Sequence, residues 1–158
     1  MEKGVVEIYT DGACSPNPGV GGWAAVLISP SHNHFRKEIF GAESDTTNNR
    51  MELLAAIKAL QSLKFPCIVK LFTDSKYIQQ AFSKGWLEKW KKNGWLAANR
   101  KPVANQDLWQ DLAKLSRIHE VSWIWVKGHS SDQENDRCDF LAVQARQKLA
   151  DELTSSFR

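Results

Sequence analysis

The first apolar stretch, Val5-Val6-Glu7-Ile8-Tyr9-Thr10, mixes alternation with β-branched residues and predicts a strand ending at Asp11. A Gly/Pro-rich turn from Gly12 to Gly22 follows it. Residues 22–29 and 34–41 read as two more strands joined by a Ser/Pro/His/Asn turn, so an antiparallel meander precedes any helix. From Thr47 the period changes: Leu53, Ala56, Ile57, Leu60 and Leu63 form one helical stripe that Pro66 stops. Residues 67–73 are mostly apolar, as in a strand buried on both faces, and Asp74-Ser75 supplies an N-cap for a helix to about residue 82. A helix near 106–117, a strand over 121–126 and a helix over 133–153 complete the pattern.

Strands first and strand–helix alternation afterwards predict an α/β fold, a mixed sheet in which an antiparallel meander joins parallel strands through right-handed crossovers. Ligands in such sheets gather at the carboxyl ends of strands, beside the switch in strand order. Asp11 and Asp74 both fall at such ends.

The 158 residues, 42% apolar and 25% charged, amount to a single domain able to bury a core, and exclude disorder, collagen-like repeats and a disulfide scaffold. No run of eighteen apolar residues occurs and the N-terminus lacks a signal-peptide core, so no membrane partner and a cytoplasmic location are expected. Cys14, Cys67 and Cys138 are odd in number and widely spaced, which suits reduced thiols.

Charge changes the picture more than composition does. The net +3 conceals residues 84–105, where Lys84, Lys89, Lys91, Lys92, Arg100 and Lys101 face Glu88 alone, a local +5 that leaves 15 basic against 17 acidic residues elsewhere, or −2. Trp86, Trp90 and Trp95 are interleaved with these cations. Two readings stand: an amphipathic helix with its lysines in solvent, Trp86 and Trp90 sharing the other face, or a cationic platform for a phosphate backbone with aromatic anchors.

Four acids stand out by position: Asp11, Glu52, Asp74 and Asp139. Each has an ordinary alternative, respectively a turn-former before Gly12, a capping box with Asn49, an N-cap, and a surface acid paired with Lys or Arg. Glu52 is the least ordinary, because Ala56, Ala59 and Leu63 share its helical face, and a carboxylate on a buried face needs a partner such as a cation. Oxygen donors without a His or Cys cluster suit Mg²⁺ or Mn²⁺, and several converging carboxylates can hold two such ions for in-line attack on a phosphodiester. His129, beside Gly128 in a polar loop, is either a solvated loop residue or a proton carrier.

Taken together, Tyr9-Thr-Asp-Gly-Ala-Cys14, Asn17-Pro-Gly19, Thr46-Thr-Asn-Asn-Arg-Met-Glu-Leu53, Thr73-Asp-Ser75, Trp125-Val-Lys-Gly-His129 and Glu134-Asn-Asp-Arg-Cys-Asp139 resemble bacterial type 1 ribonuclease H, in family order and across almost the whole chain. The resemblance implies a ribonuclease H-like fold with a five-stranded mixed sheet flanked by helices. It also implies a monomeric endonuclease that cuts the RNA strand of RNA/DNA hybrids with two Mg²⁺, leaving 3′-hydroxyl and 5′-phosphate ends. By the same resemblance Asp11, Glu52, Asp74 and Asp139 are metal ligands and His129 assists. Cys14, Asn17, Asn48 and Gln80 then lie along the hybrid, where 2′-hydroxyls distinguish RNA from DNA. Thr47 and Asn105 hold a DNA-strand phosphate, and residues 84–105 form a basic handle that brings Trp86, Lys89, Lys91, Lys92, Arg100 and Lys101 to the substrate.

The chain departs from the pattern at Asn93 and Leu96, where denser handles carry basic residues, at Asp45, where some members have Arg, and at Lys76, which replaces Gln. Weaker but still salt-sensitive hybrid binding is the expectation. Rival readings are a transposase, integrase or junction-resolvase core on a similar sheet, and a module that holds hybrid without cutting it.

Overall fold

Alternation along the first strand sets the layering. In the computed structural model, which describes residues 4–30, 33, 35–127 and 133–156, β1 (Val5–Cys14) turns Val6 and Ile8 to one face and Tyr9 to the other. β2 (Gly19–Ser29) repeats this, Ala25 and Leu27 joining the first face and Ala24 and Val26 the second. With β3 (Phe35–Thr46), β4 (Ile68–Thr73) and β5 (Glu120–Trp125) they form one sheet in the order β3-β2-β1-β4-β5. The pairs β1–β2 and β2–β3 are antiparallel, while β1–β4 and β4–β5 are parallel. The expected five-stranded mixed sheet is therefore the observed one.

α1 (Asn48–Gln61) covers the first face, and α4 (Gln106–Ile118) packs on α1. α1 is sandwiched, so Leu53, Ala55, Ala56, Ala59 and Leu60 are wholly buried, each leucine contributing about 1.5–3 kcal/mol. α2 (Lys76–Ser83) and α3 (Trp86–Asn93) add Ile78, Ala81 and Leu87 to the same core. α5 (Gln133–Ser155) covers the second face, where Cys138, Leu141 and Ala142 meet Tyr9, Ala24 and Val26. No helix among the described residues is long and apolar enough to cross a membrane.

Two glycines let the helices approach closely. A Cβ at Gly12 would stand 2.7 Å from the Glu52 backbone nitrogen, and one at Gly22 would stand 2.1 Å from the Ala142 carbonyl oxygen, so only glycine admits α1 and α5 at these distances.

The strands are longer than their hydrophobic pattern. β1 runs through Gly12 to Cys14, where a turn is expected, and β3 reaches Thr46 instead of stopping near residue 41. The cause is the antiparallel ribbon: Asp11 to Cys14 pair with Ala24 to Gly21, and β3 stays paired back to Thr46 opposite Gly19. Backbone pairing carries this extension, and its exposed Glu43, Ser44 and Asp45 give no apolar alternation to read. α1 in turn stops at Gln61, short of Phe65.

Candidate active site

Asp11 lies where the sheet changes character. β1 is level with β4 from Val5–Ile68 to Tyr9–Phe72, and the stacked rings of Tyr9 and Phe72, 4.5 Å apart, mark the last paired position. Two residues further at the same offset are Asp11 and Asp74. β4 has ended there, whereas β1 continues with β2 alone, and the parting of the strands opens a cleft at their carboxyl ends.

For three of the acids the local structure replaces the ordinary role. Ser75, not Asp74, caps α2, its hydroxyl accepting from the Ile78 N–H at 3.2 Å, and the Ser75 N–H donates to Thr73 Oγ1 at 3.1 Å. Thr47 caps α1 by accepting from the Arg50 N–H at 3.2 Å, so Asn49 and Glu52 form no capping box and Glu52 sits beyond the first turn. Asp11 sits within the ribbon, not in a turn, and accepts from the Gly12 N–H at 2.9 Å.

One carboxylate oxygen each from Asp11, Glu52 and Asp74 lies within 4.8 Å of the others. Burial and then the Asp74 charge push the Asp11 carboxyl up to about 7, against the pull of the Gly12 N–H, with Asp139 adding to the repulsion. Burial, followed by the charges of Asp11 and Asp74, holds Glu52 well above the usual carboxylate range. Glu52 is only 6% exposed and its Oε2 has no hydrogen-bond partner. A buried acceptor left in this state costs about 1–3 kcal/mol, which a cation in the cleft would relieve. The donors are oxygens only, so the residues fit hard divalent ions such as Mg²⁺ or Mn²⁺.

Asp139, exposed on α5, lines the same pocket of about 210 Å³ together with Asp11, Glu52 and Asp74, but lies outside the tight trio among the described residues. Asn135 and Asp136 line it as well. Sequence reasoning missed both, although they stand four and three residues before Asp139 and thus share its helical face. Residues 128–132, with His129, lie outside the described residues.

The expected hybrid contacts form two groups. Around the end of β1 and the start of α1, the Cys14 thiol donates to the Pro16 and Thr46 carbonyls at 3.3 and 3.5 Å, and Asn17 Oδ1 accepts from the Asn48 N–H at 3.1 Å. Thr47 adjoins them at the α1 N-terminus, and Gln80 is exposed on α2. Asn105, left-handed at φ +61°, donates from Nδ2 to the Tyr77 hydroxyl at 3.1 Å and accepts from Arg50 Nη1 at 3.3 Å. Arg50 also makes a bidentate pair with Asp107 at 2.8 and 3.0 Å, and it too was missed, since its role needs the α1–α4 contact that no local pattern encodes.

The second group is the handle, α3 and the loop behind it. Lys84, Lys89, Lys91, Lys92, Arg100 and Lys101 are all exposed. Trp86, Trp90 and Trp95 pack partly on the core and on one another, ring centroids 5.9 and 6.3 Å apart, and Trp90 reaches the buried Trp109 at 5.6 Å. The tryptophans thus anchor the handle while the lysines face solvent, as the amphipathic reading expects. Trp86 keeps an open side along a groove with Lys89, Asn93 and Leu96.

Residues 3–147 match the RNase H family model. The chain belongs to the ribonuclease H family. It is 56% identical over 144 residues to the "Ribonuclease H" of Caldanaerobacter subterraneus subsp. tengcongensis, which covers 91% of this chain and 92% of that one. Against the "Ribonuclease H" of Acetivibrio thermocellus the identity is 57% over 143 residues, covering 90% of this chain and 95% of the relative. Among solved structures, LC9-RNase H1, described as a type 1 RNase H with the type 2 active-site motif, superimposes with a TM-score of 0.82 at 28% identity over 94% of this chain and 74% of its own. LC11-RNase H1 in complex with RNA/DNA hybrid shares the fold, with a TM-score of 0.68 at 22% identity over 92% of this chain and 99% of its own. As a ribonuclease H the chain is a hydrolase and a nuclease, and its acid trio has the spacing to hold a metal ion.

Proposed function

We propose that this ribonuclease H cuts the RNA strand of RNA/DNA hybrids endonucleolytically, with two Mg²⁺ in the acid cleft, Mn²⁺ being the alternative, and leaves 3′-hydroxyl and 5′-phosphate ends. The observation that carries the reading is the convergence of Asp11, Glu52 and Asp74 at the parting of β1 and β4, with Glu52 Oε2 buried and unpartnered. The hybrid bound to LC11-RNase H1 supports the substrate class.

In this reading Asp11, Glu52 and Asp74 hold the cations from the sheet side and Asp139 from α5. Bound there, the ions supply charge neutralisation and activation of the attacking water in an in-line displacement. His129 carries a proton between water and product. Cys14, Asn17, Asn48 and Gln80 meet the hybrid's minor groove, where a 2′-hydroxyl marks the strand to be cut. Thr47 and Asn105 seat a DNA-strand phosphate, and the handle holds the phosphates beyond it. The enzyme acts as a cytoplasmic monomer.

A Mg²⁺-dependent assay comparing hybrid, duplex RNA, duplex DNA and single strands tests the proposal. Cleavage confined to the hybrid supports it, whereas preferred cutting of duplex DNA or a four-way junction overturns it. Asp74→Asn is expected to abolish cutting while hybrid binding survives, and retained cutting would remove Asp74 from the metal site.

A further inference from the structure

Asp139 reaches the cleft from a different layer than the other three acids. Asp11 is built into the sheet, Asp74 follows directly on β4 and Glu52 lies in the sandwiched α1, whereas Asp139 stands on the opposite helix, near its N-terminus and exposed. The placing of Asp139 therefore depends on what fixes the first turns of α5.

Two devices do so. Cys138 is fully buried and its thiol donates to the Tyr9 carbonyl at 3.2 Å, which ties the helix axis to β1 next to Asp11. The second device is ionic and spans the sheet's second face. Arg36 and Glu38, two apart on β3, point toward α5. Arg36 donates from Nε and Nη2 to both oxygens of Glu134, at 3.0 and 2.9 Å. Arg137 donates in the same bidentate way to Glu38, at 2.7 and 3.1 Å. Arg36 Nη2 also lies 2.8 Å from Glu38 Oε2, closing an alternating chain Glu134–Arg36–Glu38–Arg137.

We propose that this four-residue ionic chain is a positioning device for Asp139: it pins α5 at two points, one on either side of Asn135 and Asp136, and so sets how far the Asp139 carboxylate reaches toward Asp11. Forked Arg–carboxylate pairs fix orientation as well as distance, which single-point lysine pairs would not. The pairs are partly exposed, with side-chain exposures of 22–43%, so each adds little to global stability. Their effect falls on geometry, as with the outer partners that orient metal ligands in other sites. The device acts on the proposed metal cleft and rests on that reading.

The test is Glu38→Gln, which keeps the shape but removes the charge shared by both arginines, beside Arg137→Lys, which keeps the charge but loses the fork. Asp74→Asn serves as the control for the metal site. In Glu38→Gln, kcat on hybrid is expected to fall about tenfold, with KM unchanged. The Mg²⁺ concentration that half-maximally raises the thermal midpoint without substrate should rise in parallel, and the metal-free midpoint should stay within about 3 °C of the parent. Arg137→Lys should fall between the two. An unchanged kcat and Mg²⁺ midpoint in Glu38→Gln, or a change in KM alone, overturns the positioning role while leaving the metal site standing. If Asp74→Asn still cuts, the metal site itself is at fault.

Discussion

Gly12 and Glu52 are in backbone contact: a Cβ on residue 12 would lie 2.7 Å from the nitrogen of residue 52 and 2.8 Å from the Met51 Cβ. The missing methyl sets the distance between β1 and α1, and through it the distance from Asp11 to Glu52. Gly12→Ala is therefore expected to destabilise the protein by about 2–3 kcal/mol, the cost of pressing a helix backbone outward. It should also lower kcat more than it raises KM. Denaturant unfolding and hybrid-cleavage kinetics on one preparation check both, and a loss of stability without a loss of kcat would separate the contact from the acid geometry.

The gathered carboxylates imply a particular pH dependence. With Asp11 raised to about 7 and Glu52 held well above the usual carboxylate range by burial, the unfolded chain releases these protons first, near pH 4. Metal-free stability from these groups is thus fully present below about pH 4 and is lost as pH rises through about 7. Thermal melts in EDTA should show this decline, saturating Mg²⁺ should reverse it, and metal-free Asp11→Asn should melt higher than the parent at pH 8. A metal-free melting curve indifferent to Asp11→Asn would contradict the repulsion.

Leu96 is 39% exposed on the handle groove, so a cation there meets no packing penalty. Leu96→Lys should steepen the dependence of log K on log salt by about 0.9 and tighten hybrid binding. Asn93 is a poorer place for a charge. Its side chain donates to the Leu96 carbonyl at 2.9 Å and accepts from the Leu96 N–H at 3.0 Å, closing the handle loop, and Asn93→Lys would open that lock. Binding titrations across a salt series would reveal any reversal of this order.

Arg100 is left-handed, with φ 65°, where a Cβ costs about 1–2 kcal/mol. Arg100→Gly should raise stability by about 1 kcal/mol while lowering the salt slope by about 0.9, so that stability and binding move in opposite directions. Melting and salt titration of the same variant measure both.

For His129→Ala a rate reduced by about 10²-fold but still measurable is expected. An unchanged rate would make His129 a solvated loop residue.

Three of the acids were legible because alternation marks β1, an apolar run marks β4 and a helical stripe marks α1, so that Asp11 and Asp74 follow strand patterns and Glu52 falls on an apolar face. Glu52 is the clearest instance, since its neighbours Ala56 and Ala59 are wholly buried. What stayed hidden was held by partners distant in sequence. The ribbon past Asp11 exists because Gly21 to Ala24 pair with it. Arg50 acquires its place from Asp107, and Arg36 from Glu134. Asn135 and Asp136 were readable from helical spacing once Asp139 was placed, but a run of polar residues at a helix start looks like any solvated first turn.

The sheet order β3-β2-β1-β4-β5 draws the four acids from positions 11, 52, 74 and 139 of a single chain. A chain still being synthesised can complete β1, α1 and β4 and gather three of them, yet α5 and Asp139 arrive last. In the proposed mechanism a half-made molecule has no finished cutting centre, so this architecture couples nuclease competence to completion of the fold.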